Sequence, residues 1–264
     1  MPLPVSLPEG YRAVAAPRAW GFASDRASAW LGEVLGAGDA LHAWAARQPA
    51  QAPLTGRGRA WAVGAPADRH GLAGRWVVRH YRRGGQMAYL LRDRYLAVGM
   101  PRPVRELGAS LEVSRRGIPT PAVVAGAVYP LGLFYRADLV TEEIAGGKDL
   151  AEFIFGGAGA PQGAAEALAA AGALVRRLDD TGISHPDLNA KNLVLQPTHG
   201  GVRAYLVDLD GCRADAPGAA GSGRAMLARL ERSLRKHGAR SGRPLAPASW
   251  NALREGFGAP GAAP

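Results

Sequence analysis

Apolar positions along the 264-residue chain change their period more than once. Residues 25–46 place Trp30, Leu31, Leu35, Leu41 and Trp44 at helical spacing, whereas residues 59–63 and 76–81 are short β-like runs bounded by Gly, Pro and Asp. That pair predicts a β-hairpin with a third strand beside it. Residues 102–116 return to a helical pattern, with Val104, Leu107 and Leu111 on one side and a stop at Gly117 and Pro119. Strands follow at 122–127 and 133–144. Beyond Gly146-Gly147 the chain turns mostly helical: an Ala-rich helix over 164–178 closes at Asp-Asp-Thr-Gly, and a further helix spans 223–237. In that last segment Met226, Leu227, Leu230 and Leu234 line one face while Arg229, Arg232, Arg235 and Lys236 occupy others. Between the two helices, apolar runs at 192–195 and 204–207 flank the turn-rich segment 197–201 and predict a second hairpin. Trp250, Leu253 and Phe257 mark a short final helix.

These elements predict an α+β fold in two lobes. Residues 1–53 read as an N-terminal extension. Residues 54–144 form a first lobe with an antiparallel sheet, one main helix and a hinge, and residues 145–264 form a mostly helical second lobe carrying a β-hairpin.

Composition narrows the partners. The formal net charge of +10 comes from 29 arginines and three lysines, Lys148, Lys191 and Lys236, a guanidinium surface suited to phosphate-bearing or anionic partners. Part of the arginine excess also fits a GC-rich genome. Cys212 is the single cysteine, so an intrachain disulfide and a multi-cysteine zinc site are excluded and a reducing compartment is expected. No stretch has the length and apolarity of a signal or membrane-spanning segment.

The sharpest chemical signal is His185-Pro186-Asp187-Leu188-Asn189-Ala190-Lys191-Asn192, followed sixteen residues after Asn192 by Asp208 at the end of the run Ala204-Tyr205-Leu206-Val207. His-x-Asp-x-x-x-x-Asn is the spacing of a kinase catalytic loop. Asp187 is placed to orient a substrate hydroxyl and accept its proton. Asn192 and Asp208 supply hard oxygen ligands for Mg²⁺, and the hairpin between them brings the two together. His185 reads as a buried loop support bonded to nearby backbone. Asp208 is followed by Leu209-Asp210-Gly211, so Asp210 is either a second metal or substrate contact or a turn carboxylate.

Upstream, Gly56-Arg57-Gly58 is the candidate for a turn that covers ATP phosphates with backbone amides. The strand lysine expected to touch the α and β phosphates is missing, since no lysine precedes Lys148. Arg79 stands in its place, and guanidinium binds phosphate well. Its partner would be Glu106 on the following helix, with Glu112 as the substitute.

Read together, these residues resemble the 3-deoxy-D-manno-octulosonic acid (Kdo) kinase family of lipopolysaccharide synthesis, a branch of the protein-kinase-like fold. The resemblance is carried by Val78-Arg79-His80-Tyr81-Arg82-Arg83-Gly84-Gly85, Arg105-Glu106-Leu107, Gly117-Ile118-Pro119-Thr120-Pro121, Tyr135-Arg136-Ala137-Asp138-Leu139-Val140-Thr141-Glu142, the catalytic loop and Leu206-Val207-Asp208-Leu209-Asp210. It spans residues 56–213. Pro186 departs from a small residue and Leu209 from the commoner Phe, without removing a reactive group.

The resemblance implies transfer of the ATP γ-phosphate to the 4-hydroxyl of Kdo on a lipid A precursor, by an enzyme peripheral to the cytoplasmic face of the inner membrane. It implies arginine at position 79 and a hinge that bonds adenine through backbone near Glu142 to Ile144. Between residues 69 and 105 lie nine arginines and one acid, Asp93, a concentration suited to phosphorylated lipid head groups or a Kdo carboxylate. Arg82 and Arg83 are the preferred substrate-facing pair. Two other readings stay open: a kinase for a core heptose or another small hydroxyl compound, and a pseudokinase-like module that binds anionic lipid. No nucleic-acid partner is expected, because the basic stretches lack a recognition motif.

Overall fold

The structure, a computed structural model, describes residues 6–49, 52–53, 60–82, 93–157, 163–216 and 222–258. Chain contacts divide it into two units, residues 1–108 with 122–143 and residues 109–121 with 144–264.

The first unit is built on one antiparallel sheet. Its strands are β1 (Tyr11–Ala16), β2 (Ala19–Ser24), β3 (Ala52–Pro53), β4 (Ala60–Gly64), β5 (Arg75–His80), β6 (Tyr95–Leu96), β7 (Val123–Leu131) and β8 (Phe134–Glu142). The spatial order is β1-β2-β7-β8-β5-β4-β3, with β6 on β8. Residues 11–24, within the stretch read from sequence as an extension, thus pair directly with the sheet through β7. Period-two alternation sends successive side chains of β5 to opposite faces. Trp76 and Val78 join a cluster with α1 (Ser28–Gly36) and α2 (Leu41–Ala45), in which Trp30 meets Trp44 and Trp76 edge-on at 5.0 and 4.8 Å. Tyr81 lies on the other face, with Val104 and Leu107 of the next long helix, Arg102–Arg115. A four-residue helix, α3 (Ala67–His70), sits between β4 and β5, so this long helix is α4. Arg79 shares parity with Tyr81 and is therefore presented to α4.

The second unit holds α5 (Leu150–Phe155), α6 (Ala164–Asp180), α7 (Ser222–Arg240) and α8 (Pro247–Gly258), with β9 (Lys148–Asp149), β10 (Ile183–Ser184), β11 (Leu193–Thr198), β12 (Gly201–Leu206) and β13 (Arg213–Ala214). Strands β11 and β12 form the expected hairpin, with β9 added to its free edge. The turn is tighter than the predicted 197–201: Thr198 pairs with Gly201, leaving His199 and Gly200 outside the ladder. Helices α6 and α8 approach so closely that a Cβ on Gly172 would lie 2.0 Å from the Leu253 carbonyl oxygen. Only glycine fits there. Asp179, near the end of α6, accepts the Gly223 N–H at 2.8 Å and so caps the start of α7. The buried face of α7, Met226, Leu230 and Leu234, packs with Leu174, Leu178 and Leu193 in one core. The fold is α+β in two lobes, as expected. No helix among the described residues is long and apolar enough to cross a membrane.

Candidate active site

In the second unit, a buried histidine organises the loop between β10 and β11. His185 is 2% exposed, and its Nδ1 lies 3.2 Å from the Asp187 N–H, which can only donate. Nδ1 is therefore the acceptor and Nε2 carries the proton, which it donates to the Asp208 carbonyl at 3.0 Å. Burial pushes the His185 pKa below the ordinary histidine value, in keeping with the neutral ring this pattern requires. Its place is thus the structural one read from sequence: it ties the start of the loop to the residue that follows the hairpin.

The loop closes on itself around the carbonyl of Asp187, which accepts from Asn189 Nδ2 at 2.9 Å and Asn192 Nδ2 at 3.0 Å. Asn189 Oδ1 takes the Lys191 N–H at 2.9 Å. These bonds hold the Asp187 backbone while its carboxylate stays exposed and makes no hydrogen bond among the described residues. A base must be held this way: fixed at the main chain, accessible at the oxygen atoms.

Hairpin register accounts for the pairing of Asn192 with Asp208. Leu193 faces Leu206, and one step further the Val207 N–H donates to the Asn192 carbonyl at 2.9 Å. Asp208 is the next residue, and it is the one non-glycine with positive φ, +61°, among the described residues. An aspartate tolerates the left-handed region better than most residues, and strained backbone of this kind gathers at functional sites. With the Asn192 amide nitrogen committed inside the loop, its oxygen is the atom left for a ligand. An amide oxygen and a carboxylate are a donor set that fits Mg²⁺, which takes one or two protein ligands and fills its shell with water and phosphate oxygens. No cluster of three or more His, Cys, Asp or Glu is present among the described residues, so an all-protein metal cage is not what these residues make.

In the first unit, Arg79 Nη2 reaches both carboxylate oxygens of Glu106, at 2.5 and 2.6 Å, and Tyr81 donates its hydroxyl to the same carboxylate at 2.5 Å. Glu106 is 4% exposed. The pairing is the one inferred from sequence; the substitute, Glu112, instead holds Arg115 at the end of α4 and Arg116 just beyond it. Glu142 ends β8 with its N–H donated to the Ala122 carbonyl, and Glu143 donates to Arg75. The Ile144 carbonyl accepts from Gly147. Arg82 is exposed directly after β5, and Asp210 is half-buried in the turn after Asp208. Gly56, Gly58 and Arg83 lie outside the described residues.

A model of the lipopolysaccharide kinase (Kdo/WaaP) family matches residues 42–257. The chain belongs to that family. Similar relatives include the 3-deoxy-D-manno-octulosonic acid kinase of Xanthomonas oryzae pv. oryzae, strain PXO99A, 38% identical over 191 residues that cover 71% of this chain and 70% of the relative. The enzyme of the same name from Actinobacillus succinogenes is 33% identical over 205 residues, covering 76% and 82%. A solved structure of WaaP in complex with acyl carrier protein is 17% identical, with a TM-score of 0.48 over 84% of each chain. As a member of this kinase family, the chain is a phosphotransferase that acts on a hydroxyl group and uses ATP.

One further feature lies beside Asp187 that the sequence did not single out. A pocket of about 510 Å³ opens there, lined by loop residues including Lys191 and by α7 residues including Arg229, Arg232, Ser233, Lys236, His237 and Arg240. The signal was present in the sequence. Counted from 229, those α7 positions fall at i, i+3, i+4, i+7, i+8 and i+11, one stripe of a helix.

Proposed function

We propose that the chain transfers the γ-phosphate of ATP to the 4-hydroxyl of a Kdo sugar on a lipid A precursor, working as a peripheral enzyme at the cytoplasmic face of the inner membrane. The observation that carries the reading is the hairpin register that sets Asp208 beside Asn192 while the Asp187 carbonyl is held by two side-chain amides. The names of the relatives point to the Kdo acceptor.

In this reading Asp187 hydrogen-bonds the acceptor hydroxyl and takes its proton as the oxygen bonds to the γ-phosphorus. The bond from that phosphorus to the β,γ-bridging oxygen breaks, and ADP leaves with the electron pair. Asn192 and Asp208 would hold Mg²⁺, which when bound neutralises charge on the phosphate oxygens. Arg79, kept in place by Glu106, would contact nucleotide phosphates in the role a lysine has in other kinases, with Gly56 and Gly58 covering them. Backbone groups of Glu142 to Ile144 would receive adenine, while Arg82, Arg83 and Asp210 face the acceptor.

Full-length protein incubated with Mg²⁺, labelled ATP and Kdo-bearing lipid A precursor should label the lipid. Asp187→Asn should lower that rate by ~10²–10⁴-fold with an unchanged circular dichroism spectrum. Label appearing on a heptose-bearing acceptor and not on the Kdo-bearing one would move the assignment to the core heptose.

A further inference from the structure

Helix α7 carries two stripes with different fates. Its apolar stripe, Met226, Leu230 and Leu234, is fully buried in the core of the second unit. Beside it runs the polar stripe of Arg229, Arg232, Ser233, Lys236, His237 and Arg240, which lines the pocket at Asp187. Three neighbouring cations outside this stripe are already engaged. Arg235 and Arg254 share the Glu231 carboxylate at 2.8 and 2.9 Å, and Arg243 donates to the Phe155 carbonyl. Arg229, Arg232, Lys236 and Arg240 have no carboxylate within ion-pair distance among the described residues.

Four cations at three- and four-residue spacing on one helix face repel one another, and no acid among the described residues pairs with them. Among the described residues, Asp187 lines the pocket and Asp149 acts on His237 from β9. Asp149 is buried and spends a carboxylate oxygen on the Glu152 N–H as the cap of α5. His237 stacks on Phe155, and burial together with Lys191, Arg240 and Lys236 pushes its pKa below the ordinary value, which disfavours a further positive charge there. The stripe is also fixed in position relative to the loop: Ser233 Oγ accepts the Ala190 N–H at 3.1 Å, and the His185 N–H points at Met226 Sδ at 3.4 Å.

We propose that this pocket is the acceptor's anion-recognition site, in which Arg229, Arg232, Lys236 and Arg240 bind phosphate or carboxylate oxyanions of a multiply anionic sugar and so present its hydroxyl to Asp187. The proposal rests on the phosphotransfer reading above and adds the acceptor contacts to it. A pocket of about 510 Å³ has room for a sugar phosphate. A flat membrane surface fits less well, because the apolar face of α7 is turned inward and leaves nothing to insert among lipids. Guanidinium groups bind oxyanions through paired N–H donors, which gives the pocket geometric selectivity as well as charge.

The test uses the full chain carrying Arg232→Gln and Lys236→Gln together, both at exposed helix positions, with Arg235→Gln as control on the neutralised face. Binding of Kdo-bearing lipid A precursor in detergent, without ATP, should weaken ~10–100-fold in the double variant and by less than twofold in the control. The steady-state KM for the precursor should rise in parallel while that for ATP stays within twofold. Removing the precursor's phosphates should erase most of the difference between wild type and double variant. Unchanged precursor affinity in the double variant overturns the proposal. So does a rise in the ATP KM alone, or a loss confined to vesicles of anionic phospholipid. If the wild type phosphorylates only a different acceptor, the Kdo assignment fails and the same comparison, run with that acceptor, still decides whether the pocket reads its anions.

Discussion

Arg79 in the first unit and the cations of α7 in the second are both helix-facing or helix-borne positive charges, yet their surroundings are opposite. Arg79 is 23% exposed at its side chain and lies against a carboxylate that is nearly buried, with the Tyr81 hydroxyl on the same oxygen. Arg232, Lys236 and Arg240 project from an exposed face toward a pocket in which Asp187 is the one acid among the described lining residues. In the first case the fold positions the charge with a carboxylate of its own. In the second no such carboxylate holds it among the described residues. The difference separates arginines of a strongly basic protein that are tied to an internal acid from those that are not, a distinction that the net charge of +10 cannot make.

The comparison breaks most visibly at Arg79. Arg79→Ala leaves the Glu106 carboxylate buried without its cation, and removing one partner of such a pair costs about 3 kcal/mol. Urea unfolding should show that loss as a shift in midpoint with little change in slope. A loss below about 1 kcal/mol would mean that the pair is in effect a surface one, and the contrast with α7 would collapse.

A second cluster in the first unit tests the same idea through pH. The protonated His80 ring donates to Asp138 Oδ1 at 2.6 Å and to Asp93 Oδ2 at 3.1 Å, while Asp138 Oδ2 accepts from the His42 backbone N–H and from Tyr129 Oη, both at 2.9 Å. Burial opposes the charged ring, but bonds to Asp138 and Asp93 outweigh it and hold the His80 pKa above the ordinary value. A raised histidine pKa adds stability that is full below the unfolded value near 6.5 and is lost as pH rises through the folded one. Wild-type stability should therefore fall across that window. Asp138→Asn should flatten the fall and cost about 2 kcal/mol at pH 6, the range of a hydrogen bond to a charged group. Equal slopes in the two proteins would remove His80 from the account.

Local chemistry made much of this legible in advance. The hairpin from Asn192 to Asp208 follows from short-range rules, turn residues between period-two strands, while the catalytic-loop spacing and the Arg79 to Glu106 pairing were legible because they match a kinase pattern. The buried His80 network did not, because it joins residues 42, 80, 93, 129 and 138, which come together only once β7 and β8 lie in one sheet with β5. The pairing of β2 with β7 was invisible for the same reason, since it bridges about a hundred residues. The α7 stripe is a different kind of omission. Its periodicity was in plain view, but the apolar stripe beside it gave a sufficient reason for the helix. Only the register of α7 on the loop, through Ser233 and Ala190, shows that the other face has a destination.

The smallest expected effect is also the most discriminating, because its sign is reversed. Replacing Arg232 and Lys236 by glutamine removes the like-charge pairs 229/232, 232/235, 232/236 and 236/240, at spacings of three and four residues on α7. Each such pair costs a helix ~0.2–0.5 kcal/mol at low salt, so the double variant should be slightly more stable than wild type, where Arg79→Ala is much less stable. Repulsion between exposed charges is screened over about 10 Å at 0.1 M salt and about 3 Å at 1 M, so the gain should disappear in 1 M NaCl. Stability measured at both ionic strengths gives the answer. A double variant destabilised at low salt would show that these cations hold the fold together as Arg79 does, and α7 would then have no charge in reserve for an acceptor.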